Sequence, residues 1–132
     1  MTDALFEKGL KLRREVLGSA YVDKALAGRD EFSGDLQQLV TEFAWGSVWP
    51  REGLQRSTRS LLCIVMLTAL NRPHELRLHL AAALRNGCTP VEIREALLQS
   101  AIYCGVPAAI DAFRLAREVL QEHGIAFEPY RP

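Results

Sequence analysis

The chain has no C-x-x-C pair, no surplus of either charge and no apolar run long enough to cross a bilayer. Each absence removes a class of function. Cys63, Cys88 and Cys104 are odd in number and far apart in sequence, so neither a disulfide framework nor the paired thiols of dithiol redox or zinc chemistry fits them. Sixteen basic residues balance sixteen acidic ones, and a net charge of zero supplies no broad field to recruit nucleic acid or an anionic membrane. The longest apolar run, residues 61–70, is interrupted by Thr68 and falls well short of a membrane span. The opening residues carry charges at helical spacing without the apolar block of a secretory signal, so a soluble cytoplasmic protein is expected.

Strict apolar-polar alternation is also missing. Periodicity near 3.6 runs through almost the whole chain, which predicts an all-α fold of six or seven helices in one domain, residues 1–132. The first helix is expected over about residues 3–17, with repeating apolar positions at Leu5, Leu10, Leu12 and Val16, and a short second over about 21–27. A third covers about 32 to 45 or 49, with Leu36, Leu39, Val40 and Phe43 as its buried stripe, and Pro50 ends it. Pro50-Arg51-Glu52-Gly53 then forms a candidate mobile mouth. The fourth, about 57–70, is apolar nearly all round, as befits a central helix or one shared with another subunit. The fifth starts at Pro73 and stops at Asn86-Gly87. The sixth opens with Thr89-Pro90-Val91-Glu92, a capping box with proline at the first helical position, and the seventh runs from Val106-Pro107 to His123-Gly124. The tail, residues 125–132, is expected to be extended.

What the chain does concentrate is titratable groups in Arg72-Pro73-His74-Glu75-Leu76-Arg77-Leu78-His79. The stretch misses the zinc-protease motif by one residue. On an α-helix, i and i+4 differ by roughly 40° and i and i+5 by roughly 140°, so His74 and His79 are poorly placed to share one ion and no metal site is expected. Glu75 and His79 are i and i+4 partners, so a carboxylate can orient and charge an imidazole as an acid/base pair. The same pair also suits an ordinary helix surface. On that helix Leu76, Leu80 and Leu84 form a core stripe, while Glu75, His79, Ala82 and Asn86 line the adjacent strip, where desolvation and the Glu75 charge would pull the His79 pKa in opposite directions.

Trp45 and Trp49 share a helical face with Gly46 between them, either as core or as a flat wall for a planar ring. Arg51, Arg56, Arg59, Arg72 and Arg77 surround these segments. A guanidinium can hold a carboxylate by two parallel hydrogen bonds, and Arg59, at the start of an otherwise apolar helix, is the first choice for that task. Tyr103, at a helix junction of small residues, is either packed there or a hydroxyl within reach of a pocket.

The segments Trp45-Gly46-Ser47-Val48-Trp49, Arg59-Ser60-Leu61-Leu62, His74-Glu75-Leu76-Arg77-Leu78-His79, Asn86-Gly87-Cys88-Thr89, Glu92-Ile93-Arg94-Glu95 and Gly105-Val106-Pro107-Ala108-Ala109 closely resemble, in order and spacing, the carboxymuconolactone decarboxylase family. The likeness extends from about residue 6 to residue 120. It implies an all-helical fold shared with alkylhydroperoxidase-like reductases, whose helix carries C-x-x-C followed three residues later by His. Here those cysteine positions fall on Arg72 and Glu75, so the redox pair is absent, and Ser60 stands where the reductases favour an acidic residue.

The resemblance further implies cofactor-free decarboxylation of a dicarboxylate lactone, 4-carboxymuconolactone, in the β-ketoadipate route of protocatechuate catabolism, by a ring-like homo-oligomer such as a hexamer or trimer of dimers. Arg59 with Arg51 or Arg72 would hold the acetate arm. His74 or Tyr103 would stabilise the developing oxyanion, and His79 with Glu75 would protonate the ring carbon beside a dry wall of Trp45 and Trp49. Two other readings remain for the residues. One is a thiol-dependent reductase on the same scaffold, which would draw on Cys63, Cys88 or Cys104; the other is a non-catalytic oligomeric binding protein.

Overall fold

A computed structural model of the chain describes residues 3–132. Among the described residues there are seven α-helices and no strand: α1 (Asp3–Leu17), α2 (Ser19–Ala27), α3 (Gly34–Leu39), α4 (Arg56–Ala69), α5 (Pro73–Arg85), α6 (Pro90–Cys104) and α7 (Val106–Glu122). A π-helical segment, Val40–Val48, continues α3 directly. The expected helix boundaries hold to within about two residues at every helix except the third. No helix among the described residues is long and apolar enough to cross a membrane. The chain divides into two compact units, Met1–Arg59 and Ser60–Pro132.

In the first unit, α1 packs closely on the π segment. Gly9 makes this possible: a Cβ there would overlap the Thr41 carbonyl oxygen and stand 2.9 Å from the Gly46 nitrogen. Gly46 is just as tightly placed, since its Cβ would lie 2.9 Å from the Leu5 carbonyl oxygen. The face so buried is Thr41, Glu42, Trp45 and Gly46. This corrects the expected stripe, because Leu36, Leu39 and Phe43 are exposed, Phe43 by 61%. Two glycine contacts, at Gly9 and Gly46, set which face meets α1, and apolar periodicity does not register them.

The second unit has an aliphatic core. Ile64 of α4, Leu76 and Leu80 of α5, Ile93 and Leu97 of α6, and Val119 and Leu120 of α7 are all buried in one cluster. Burial of each such side chain stabilises the fold by about 1.5–3 kcal/mol. Thr89 caps α6 as expected: the Glu92 amide donates to Thr89 Oγ1 at 3.1 Å, and the Thr89 amide donates to Glu92 Oε1 at 2.8 Å. Gly105, at φ 101°, makes the abrupt turn from α6 to α7 that a side chain would strain. On α4 only Ser60, Ile64 and Thr68 are buried, while Leu62 and Met66 are exposed.

Candidate active site

The candidate residues fall in both units. Those of the first unit are Trp45, Trp49, Arg51 and Arg59. The two indole rings stack with centroids 4.7 Å apart and planes 16° from parallel, and both are buried. They lie along the π segment and its end, where the Trp49 amide donates to the Ala44 carbonyl five residues back at 2.9 Å. The wider π turn has a shorter rise per residue, which brings rings four residues apart into face-to-face contact.

Arg59 is half-buried. Its Nη2 donates to the Arg51 carbonyl oxygen at 3.2 Å, while its Nε is buried with no hydrogen-bond partner. Arg56, three residues earlier, is spent on an ion pair with Glu15 at 3.0 Å. Arg59 forms no ion pair among the described residues, so its guanidinium keeps donors for an anion.

In the second unit, Pro73 opens α5 and places His74 and Glu75 in its exposed first turn, with His79 half-buried one turn further on. Both expected influences act on His79. Desolvation by burial is the larger and lowers its pKa, and the Glu75 charge acts the other way. The imidazole is therefore neutral at pH 7 in the isolated chain, and an added negative charge nearby would bring it toward protonation.

Other candidates are differently placed. Arg72 Nη1 donates to the carbonyls of Leu70 and Asn71, at 3.1 and 3.3 Å, so part of its capacity serves the end of α4. Arg77 pairs with Glu118 and, at 2.9 Å, with Glu122, tying α5 to α7. Tyr103 is not packed at its junction; it is 80% exposed. Ala82, on the same strip as His79, is fully buried.

Sequence reasoning missed the buried polar groups. In the first unit Glu42 is 1% exposed; one carboxylate oxygen accepts from Gln38 Nε2, and the other has no hydrogen-bond partner. Arg13, also buried, donates to Gln37 Oε1 at 2.9 Å and Thr41 Oγ1 at 3.1 Å. The available signal was an acid between the aromatic and aliphatic residues of 39–49 and a base next to Leu12 on α1. In the second unit Asn86, two turns beyond His79, donates to buried Ser60 at 2.8 Å. Cys88 is buried, and burial first, then Glu92, pushes its thiol up to about 11, so it is not a thiolate at neutral pH.

The profile of the Carboxymuconolactone decarboxylase family matches residues 34–118, which contain every candidate residue above. The chain is 45% identical over 93% of its length to a 4-carboxymuconolactone decarboxylase of Acinetobacter baylyi, covering 92% of that protein. It belongs to the carboxymuconolactone decarboxylase family. A nitrosuccinic acid decarboxylase of Metarhizium robertsii is 44% identical over 89% of this chain and 82% of its own length. A 4-carboxymuconolactone decarboxylase of Pseudomonas putida is 39% identical over 31% of this chain. The stretch from His74 to His79 lies within the matched range.

Proposed function

We propose that this protein is a carboxy-lyase that converts 4-carboxymuconolactone to 3-oxoadipate enol-lactone and CO2 without a cofactor, in the cytoplasm. The observation that carries this reading is 45% identity, along almost the full length of both chains, to a decarboxylase of that lactone. The bond from the ring carbon to its carboxylate breaks, and the electron pair passes through the ring double bond to the lactone carbonyl, giving an oxyfuran-like dienolate. A proton then adds to ring carbon. Because the substrate holds its own electron sink, the protein needs only to grip, shield and protonate.

Arg59 is assigned the carboxylate of the acetate arm, with Arg51 or Arg72 in support. The buried, unpartnered Nε of Arg59 favours this choice. His79 is assigned the proton. The substrate's negative charge would raise its lowered pKa, so the imidazolium would form where it is needed. Glu75 orients and charges that ring. His74 or Tyr103 donates to the developing oxyanion, and the Trp45–Trp49 stack supplies a dry wall that favours loss of the carboxylate's charge.

A homo-oligomer, a hexamer or trimer of dimers, suits the apolar surface of the second unit. Leu62 and Met66 on α4, Leu70 just beyond it, and Leu98 and Ile102 on α6, the last 79% exposed, give apolar faces whose exposure to water is costly. A monomer by light scattering at micromolar concentration would sink this assignment.

A second substrate has a specific observation in its favour, the 44% identity to the nitrosuccinic acid decarboxylase. Nitrosuccinate is also a diacid, and its nitro group can take up the electrons left by CO2. The decisive experiment offers the purified protein each acid separately, following ultraviolet absorbance and CO2 release with and without chelator. Turnover of the lactone with a much higher kcat/KM, unaffected by chelator, is the expected result. Preference for nitrosuccinate would replace the substrate, and no CO2 from either would leave the non-catalytic reading.

A further inference from the structure

One cavity of the second unit is lined by none of the candidate catalytic residues. It has a volume of about 370 Å³ and lies among α6, α7 and the chain that follows α7. Leu97, Phe113, Ala116 and Ile125 make its walls, and Phe127 closes one side. This is space for a small organic molecule, within the ordinary range for ligand sites.

Its charge is one-sided. Arg94 and Arg117 line the cavity, and no acidic side chain does. The Arg117 guanidinium lies over the Phe127 ring at 5.2 Å and forms no ion pair among the described residues. Stacking uses the face of a guanidinium and leaves its N–H edge available for a carboxylate. Arg94 contacts Glu95 only through Nε, at 3.3 Å, with both side chains largely in water. The tail is held in place for this role: Ile125 packs against the core, and its amide donates to the Leu120 carbonyl at 3.0 Å.

We propose that this cavity is a second ligand site, which takes a small monocarboxylate bearing one apolar ring or short chain. The apolar body sits against Leu97, Phe113 and Ile125, and the carboxylate meets Arg117 and Arg94. The apolar walls alone would accept any small hydrocarbon; the two arginines make the site select for a charged end. The inference is independent of the lactone reading, because it uses none of the same residues.

Benzoate and benzyl alcohol, matched in ring and differing in charge, test it on the full-length protein by methyl NMR. Benzoate should shift the Ile93, Leu97 and Ile125 methyl signals saturably, and benzyl alcohol should bind about tenfold or more weakly, the loss of one charge-assisted contact. Arg117→Met should weaken benzoate about tenfold and leave benzyl alcohol unchanged. Arg94→Met, at an exposed position, should do the same to a smaller degree and serves if Arg117→Met does not fold. Arg59→Ala should leave benzoate binding intact at these methyls. Equal affinity for the two probes, or benzoate binding unaffected by both arginine variants, would overturn the proposal. So would absence of saturable shifts, the result expected if a second copy of the chain fills the cavity.

Discussion

The two units of the chain are held together by different means. Residues up to Arg59 bury an arginine, a glutamate and two stacked tryptophans, and rely on two glycines that let helix backbones touch. Residues from Ser60 on bury leucine, isoleucine, valine and alanine in one cluster, clipped by surface ion pairs. The first arrangement depends on a few irreplaceable contacts, and the second on the summed burial of interchangeable ones. The proposed chemistry follows the same division. Arg59, in the unit of rigid polar contacts, is assigned to grip, and His79, on the edge of the aliphatic unit, is assigned to transfer a proton.

The sharpest way to break this comparison is kinetic. His79→Ala should lower kcat by about 100 to 10,000-fold with little change in KM, the usual range for a general acid. Arg59→Ala should act chiefly on KM, because its carboxylate is present in substrate and transition state alike. Glu75→Gln should fall between, through a misoriented imidazole. If His79→Ala folds, assembles and turns over normally, the proton comes from elsewhere, and His74 or Tyr103 is next.

Stability tests the packing half of the comparison. Leu80→Ala removes a fully buried side chain from the second unit and should cost about 2–5 kcal/mol by urea denaturation. Gly9→Ala adds one methyl to the first unit and should cost about 3 kcal/mol, since the new atom meets backbone that cannot swing aside. A neutral Gly9→Ala would mean that α1 can slide on the π segment, and the distinction between the units would fail.

How much of this was legible follows the same line. In the second unit, caps, glycine stops and 3.6-residue periodicity agree with one another, so helix ends and core positions such as Leu76 and Leu80 could be read directly. The electrostatic influence of Glu75 on His79 was equally readable, because i and i+4 are neighbours on any α-helix. In the first unit the period changes inside one helix. Leu36 and Leu39 lie on a regular α-turn and are still exposed, because the face that meets α1 is set by the close contacts at Gly9 and Gly46, which periodicity does not reveal. Glu42 was overlooked because a charge in an apolar run is ordinarily assigned to solvent. Tyr103 was ambiguous for another reason: spacing at a helix junction does not say whether a side chain packs or faces water, and this one is exposed.

Acid should separate the units more gently. All three histidines lie beyond residue 60, and His79 has its pKa lowered chiefly by burial. The unfolded chain then binds more protons than the folded one between the lowered pKa and about 6.5. The contribution is full above that upper value and declines as pH falls through the window. His79→Gln should flatten the pH dependence of the urea midpoint between about pH 5 and 7. Identical slopes in the two proteins would mean that His79 is solvated in solution.

The smallest contrast is between helix caps. Thr89 makes both bonds of a capping box, so Thr89→Ala should cost about 1 kcal/mol. Ser33 occupies the corresponding position before α3 but makes no capping bond; its hydroxyl donates to Asp30 Oδ1 at 3.1 Å in the preceding turn. Ser33→Ala should therefore cost only a few tenths of a kcal/mol, the scale of an exposed surface change. The pair is measured as two urea midpoints against the parent. Equal losses would show that the helix following Ser33 depends on its first turn as much as α6 does, and that the first unit leans on local signals more than its packing suggests.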